Sequence, residues 1–309
     1  MAGAALAWAV LPRTERRRAE NGSGRFDLAG ATTFAGAVTF ALLALTFGSA
    51  WGWSSPTLIA CTVLGLAGLL TFLAAERRVR FPLIALELFR QRTFTAGILS
   101  GLLSYTVLFG ALFVAPFYLQ RTFGYGPSQT GFLLTAIPVA IGLLAPFSGA
   151  LTDHLGSRPP TVAGMLVAAL GLTVLWLDQS GPLTTVLIAL GLLGVGLGFF
   201  TPPNNSAIMG SAPASHLGVA GGVLNMTRGL GTSLGVAATG AVLALALSSA
   251  TGTATSTTVS APSTALSDAF RWCWLFLAAV AVAAGAISTL RDPGPVAIDP
   301  EARGDLAGL

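Results

Sequence analysis

The polar residues that could do chemistry in this chain are few, and each interrupts a long apolar run. Arg228 lies in Asn225-Met-Thr-Arg228-Gly-Leu-Gly231-Thr-Ser-Leu-Gly235, a lone cation in the run from 219 to 247. A charge at membrane depth costs at least a few kcal/mol, so this arginine should face protein or water and have a partner, unless it snorkels to the nearer surface. About nine residues into the run, it sits roughly 13 Å deep at ~1.5 Å per residue, and both readings stay open. Gly191, Gly194, Gly196 and Gly198 precede Phe199-Phe200-Thr-Pro202-Pro203-Asn204-Asn205. Two prolines in series should break a helix, and the amides of Asn204 and Asn205 can bond the freed backbone groups or a substrate. The same prolines would equally mark a helix end at the membrane surface.

A third cluster, Gly149-Ala-Leu-Thr-Asp153-His-Leu-Gly156-Ser-Arg158-Pro, falls where one apolar run ends and the next begins. Its glycines permit a tight turn between closely packed helices. Asp153 and Arg158 can form a charged clasp at a helix end that breaks and remakes as domains rock. The alternative is a plain turn with its basic residue on the cytoplasmic side. His154 is not read as a proton carrier. Tyr105, Phe109, Phe113 and Phe117 recur every fourth residue, so they share one slowly rotating helical face. Such a stripe suits flat lipophilic cargo, and lipid contact or helix packing explains it as well.

All 12 acids fall between the apolar runs or at their edges, so no intramembrane carboxylate is visible for proton coupling. The absence of HExxH and P-loop patterns argues against a zinc-dependent membrane hydrolase or an ATPase. Asn225 and Arg228 alone come near the polar pair that an intramembrane enzyme would need. Cys61 and Cys273 both fall in apolar runs, which indicates neither a disulfide framework nor a metal site.

The elements that must position these residues follow from composition. Of 309 residues, 53% are hydrophobic and 9% charged, far from the roughly 25% charged content of soluble domains. The mean hydropathy is +0.77, and most of the 38 glycines interrupt apolar runs, as in helices packed in lipid. All 16 basic residues are arginine. They cluster in short segments, which points to membrane topology; a nucleic-acid partner would require a basic face with exposed aromatic or polar readers.

At about 20 apolar residues per crossing, spans are predicted near 28–49, 56–75, 95–119, 130–151, 161–177, 183–202, 219–247 and 269–290. Thirteen of the 16 arginines fall in alternate intervening segments, namely Arg13 to Arg25, Arg77 to Arg92, Arg158, and Arg291 with Arg303. The positive-inside rule therefore places both ends of the eight-helix block in the cytoplasm. Met1 to Leu11 is apolar but about half the length of a crossing, and its arginines follow the apolar run where a secretory signal has them first. It reads as the end of a helix whose beginning is absent, or as a short interfacial segment. Between the second and third spans, Arg78-Val-Arg-Phe-Pro-Leu-Ile-Ala-Leu-Glu-Leu-Phe-Arg-Gln-Arg92 is an amphipathic segment for the headgroup layer. It serves either as a coupling helix or as a membrane-surface connector.

The cluster from Gly149 to Pro159 resembles the GxLaDrxGrr loop signature of the major facilitator superfamily. The order of features adds to it: an Arg-rich loop, Phe26-Asp-Leu-Ala-Gly30 opening a span, the Trp51-Gly-Trp53 turn, the Glu76 to Phe94 connector, that loop, and the Asn225 to Gly235 span. Over about residues 1–292 this order resembles the fourteen-helix drug:proton antiporter family. The resemblance implies an all-α integral membrane fold of about eight transmembrane helices. Residues 1–27 would be the end of a truncated helix and a cytoplasmic loop, 28–75 a two-helix linker, and 76–94 the connector. Residues 95–290 would form a C-terminal six-helix domain and 291–309 a cytoplasmic tail, with the N-terminal six-helix domain absent. Residues 95–119 and 183–203 would line the central cavity, while 130–151 and 219–247 would face the other domain. The family's activity is export of lipophilic and cationic compounds across the cell membrane in exchange for protons, with no cofactor beyond the proton gradient. The implied partners are the bilayer, small-molecule cargo, and an N-terminal transporter half or a second copy. The alternative is a non-transporting membrane interaction protein or a truncated remnant.

Overall fold

The structure, a computed structural model, describes residues 28–51, 55–76, 86–178, 181–251 and 263–292. A backbone in lipid must satisfy its polar groups internally, and the described residues are helices joined by turns. The helices are α1 (Leu28–Trp51), α2 (Pro56–Glu76), α3 (Arg92–Phe123), α4 (Pro127–Leu134), α5 (Ala136–Leu155), α6 (Arg158–Leu177), α7 (Leu183–Ser211), α8 (Leu217–Thr251) and α9 (Ser263–Ser288). With α4 and α5 counted as one crossing, six of them are long and apolar enough to span a bilayer. The pair α1 and α2, at 24 and 21 residues, reaches about 36 and 31 Å at ~1.5 Å per residue. The eight-helix, all-α membrane architecture expected from the runs is therefore present. Most of the connector before α3 lies outside the described residues; its end, Leu86–Arg90, is one 3-10 turn with Leu88 buried.

At two places prolines act differently from expectation. The run at 130–151 is divided between α4 and α5 at Thr135 (φ −64°, ψ −17°). Pro138 has no N–H to give the carbonyl of Leu134, and nearby the Thr135 hydroxyl donates to the Phe132 carbonyl at 2.6 Å. Pro202 and Pro203, expected to break or end a helix, do neither: α7 continues through them to Ser211. Each removes one backbone hydrogen bond, and packed neighbours and local adjustment sustain a helix in lipid where water would fray it.

Helix α3 packs on α7, α8 and α9, α6 lies between α7 and α9, and α5 covers α7. Close approach depends on missing side chains: a Cβ on Gly164 of α6 would stand 2.5 Å from the Gly196 carbonyl oxygen of α7. Away from the arginine-bearing loop, Tyr118 makes edge contacts with Phe270 and Trp274 at 5.7 and 5.8 Å, closing the core. The α1–α2 hairpin, joined by Phe34 against Phe72 at 5.0 Å, docks on α8. Burial is uneven. The α4–α5 crossing has 11% of its apolar window buried and α8 has 28%, against 44–56% for the other four.

Candidate functional site

Two candidate site residues and the lone cation of α8 meet on one side of the bundle. Tyr105 is half-buried on α3, and the Arg228 guanidinium stands 6.0 Å from its ring centroid. The Asn205 side chain, from α7 just past the two prolines, stands beside the Tyr105 hydroxyl. Its Oδ1 is buried and has no hydrogen-bond partner among the described residues. Arg228 is exposed, and no acid pairs with it among the described residues. With α8 starting at Leu217, it lies about 16 Å along the helix at ~1.5 Å per residue. The arrangement thus gathers a buried acceptor short of a donor, a phenol and an exposed cation where α3, α7 and α8 meet. Asn225, one turn earlier on α8, is exposed.

The other aromatic residues of α3 extend this face towards the far end. Phe109 and Phe113 are half-buried and Phe117 is exposed, with Phe113 and Phe117 in edge contact at 5.4 Å. Phe113 lies over Gly240 of α8. Gly231 and Gly235, expected to face another domain, instead seat α8 against α3. A Cβ on Gly235 would stand 2.6 Å from the Thr106 carbonyl oxygen, and one on Gly231 would stand 2.7 Å from that of Leu102. Their role is packing within the six-helix unit, and that packing brings Arg228 to Tyr105.

Asn204, grouped with Asn205 in the sequence, points the other way, into a buried polar cluster built around Arg291. Read as the start of a tail, Arg291 is 1% exposed. Its Nη2 donates to Ser100 Oγ at 2.7 Å and to Asn204 Oδ1, and its Cζ lies 5.8 Å from the Phe200 ring centroid. Its Nε and Nη1 have no partner among the described residues. Burial pushes its pKa down to about 10, so it remains charged at neutral pH. The carbonyl-bearing end of α9, which closes at Ser288, lies here and supplies partial negative charge. Next to it the Asp292 carboxylate accepts from the Thr93 hydroxyl at 3.3 Å, tying the end of α9 to the start of α3. The sequence reading marked Asn204 but missed Arg291 and Ser100; the signal was Ser100, a polar residue inside an apolar run with no partner nearby in the chain.

In the loop from Gly149 to Arg158, Gly156 ends α5 at φ +76°, and its N–H bonds the Thr152 carbonyl at 2.9 Å. The expected clasp is not formed: Asp153 is exposed, Arg158 is half-buried, and no ion pair joins them. The turn at Gly156 and the new helix starting at Arg158 separate the two side chains. A Cβ on Gly149 would meet no atom within 4 Å. Arg158 and Asp292 line one open pocket of about 570 Å³ with Leu155, Val162 and Leu166. Among the described residues no three His, Cys, Asp or Glu side chains group as metal ligands.

Apolar crossing helices, prolines within α3, α5 and α7 and a polar face part-way along them define a multi-pass α-helical protein of the cell membrane. The sequence profile of the Major Facilitator Superfamily matches residues 2–236 and, separately, 97–307, and the chain belongs to that superfamily. It is 32% identical over 220 residues to the multidrug resistance protein Stp of Mycobacterium tuberculosis, covering 71% of this chain and 41% of Stp. Against the multidrug transporter protein MdtP of Bacillus subtilis, identity is 31% over 242 residues, covering 77% of this chain and 44% of MdtP. The tetracenomycin C resistance and export protein of Streptomyces glaucescens is 34% identical over 233 residues, 74% of this chain and 42% of that protein. The chain thus spans less than half the length of these curated relatives.

Proposed function

We propose that this chain supplies one half of a proton-driven exporter of lipophilic or cationic compounds, acting with a second six-helix unit. The observation that carries the reading is the meeting of Tyr105, Asn205 and Arg228 on one side of the bundle, with the Asn205 oxygen buried and without a partner among the described residues. Alternating access rocks two units about a site near the membrane midplane, and this face would form one wall. Phe109, Phe113 and Phe117 would give flat apolar cargo a surface. The low burial of α4–α5 and α8 supports a second unit covering those helices, and names of relatives such as Stp and MdtP support drug export. Both ends of the eight-helix block would be cytoplasmic, as the arginine distribution favours.

None of the described acids with an assigned exposure, Glu87, Asp153, Asp178, Asp268 and Asp292, is buried. In this reading the proton-carrying carboxylate belongs to the second unit, and this half supplies cargo contacts and the moving loop at Gly149, Asp153, Gly156 and Arg158. The test is dye accumulation in cells. Cells expressing this chain alone should retain a fluorescent cationic dye as controls do, and co-expression of an N-terminal six-helix half from a relative such as Stp should lower retention. Unchanged retention in every combination would favour a non-transporting membrane interaction protein.

A further inference from the structure

Asn204 and Asn205 are neighbours on one helix with opposite tasks: Asn204 is 1% exposed and bonded inward, while Asn205 reaches Tyr105. They follow Pro202 and Pro203, where α7 loses two internal hydrogen bonds in succession. Without those bonds the segment resists rotation about the helix axis least where the cavity amide is carried. From outside the helix Asn204 Oδ1 accepts from Arg291 Nη2 and, at 3.5 Å, from Ser100 Oγ on α3, and the same arginine nitrogen donates to Ser100 Oγ. Ser100 also donates to the Ala96 carbonyl at 2.6 Å, so this anchor is itself fixed to its helix. The Phe200 ring under the guanidinium holds it from the other side of the prolines. A cation buried with Nε and Nη1 lacking partners among the described residues is costly for a helix terminus to keep, and a staple across three helices is a use that requires it to be buried.

We propose that Arg291 is a positioning residue: it staples α7 to α3 and α9 just past the double proline, and so sets the direction in which Asn205 points. The cavity role of Asn205 rests on the transport reading above, but the staple does not, and it can be tested on this chain alone. Asn205→Cys is labelled with N-ethylmaleimide in membranes, beside Gly191→Cys on the same helix before the prolines, where a side chain meets no neighbour within 4 Å. The parent chain reports labelling of Cys61 and Cys273, both buried.

With Arg291→Gln, too short to reach both acceptors, labelling at 205 should rise at least about fivefold while that at 191 stays within about twofold, as expected for loss of a charge-assisted bond that restrains a local motion. Because a single nitrogen makes both bonds, Arg291→Lys should restore the parent rate to within about twofold. If Arg291→Gln fails to reach the membrane, Ser100→Ala decides, with a smaller rise at 205 and none at 191. Equal rates at 205 in all variants, or equal acceleration at 205 and 191, would overturn the staple. Dye export could fail while this pattern holds, which separates the two claims.

Discussion

Gly235→Ala compared with Gly229→Ala weighs the contact that brings Arg228 to Tyr105. Both glycines are in α8, and both changes gain roughly 1 kcal/mol of helix propensity. They differ in surroundings. A Cβ on Gly229 meets nothing within 4 Å, whereas one on Gly235 stands 2.6 Å from the Thr106 carbonyl oxygen, 3.0 Å from Gly110 N and 3.1 Å from Thr106 Cα. All three atoms are backbone, so no side chain can swing aside, and α8 must move away from α3. Overpacking of this kind costs about 1–3 kcal/mol. With propensity common to both variants, Gly235→Ala should be the less stable by about that amount, which is several degrees of midpoint at roughly 2–4 °C per kcal/mol. The assay is thermal unfolding of the detergent-solubilised chain, followed by loss of monodispersity. Gly229→Ala at or above the parent with Gly235→Ala clearly below it is the expected result. Equal midpoints would refute the packing role and return Gly235 to an outward face.

Four further outcomes follow from the site. Arg228→Ala should lower thermal stability by no more than about 1 kcal/mol, the scale of an exposed cation–π contact, yet reduce export of cationic dye by the two-half protein; unchanged export would remove Arg228 from the cavity. Asp153→Asn should leave membrane insertion intact and reduce export by the complemented carrier. Because Asp153 and Arg158 form no ion pair, its effect and that of Arg158→Gln should combine additively in a double-mutant cycle; strong coupling would restore the clasp. Gly156→Ala places a Cβ at φ +76° and should cost about 1–2 kcal/mol in thermal unfolding, whereas Gly149→Ala should cost nothing.

The helices were legible because burial in lipid demands unbroken apolar runs, and the turn at Gly156 because glycine there coincides with a charge pair and a run boundary. What failed to read depends on partners distant in the chain. Arg291 is followed by Asp292 and prolines and looks like the beginning of a tail; its acceptors lie 191 and 87 residues away. The glycines of α8 fell in a run expected to face the other domain, and the pattern of small residues cannot say whether the approaching helix is α3 or a separate domain. Pro138 divided a helix and Pro202-Pro203 did not, because the outcome is set by what surrounds the freed carbonyls. Asn204 and Asn205 were both flagged as amides, and only packing gives one to Arg291 and the other to the open face.

The central claim is that this chain is half of an exporter, and purified proteoliposomes test it most directly. With an inward proton gradient imposed, efflux of a cationic dye is followed for this chain alone, for an N-terminal six-helix half alone, and for both together. Gradient-dependent efflux only when both are present is the predicted result. Gradient-dependent efflux by this chain alone would contradict it.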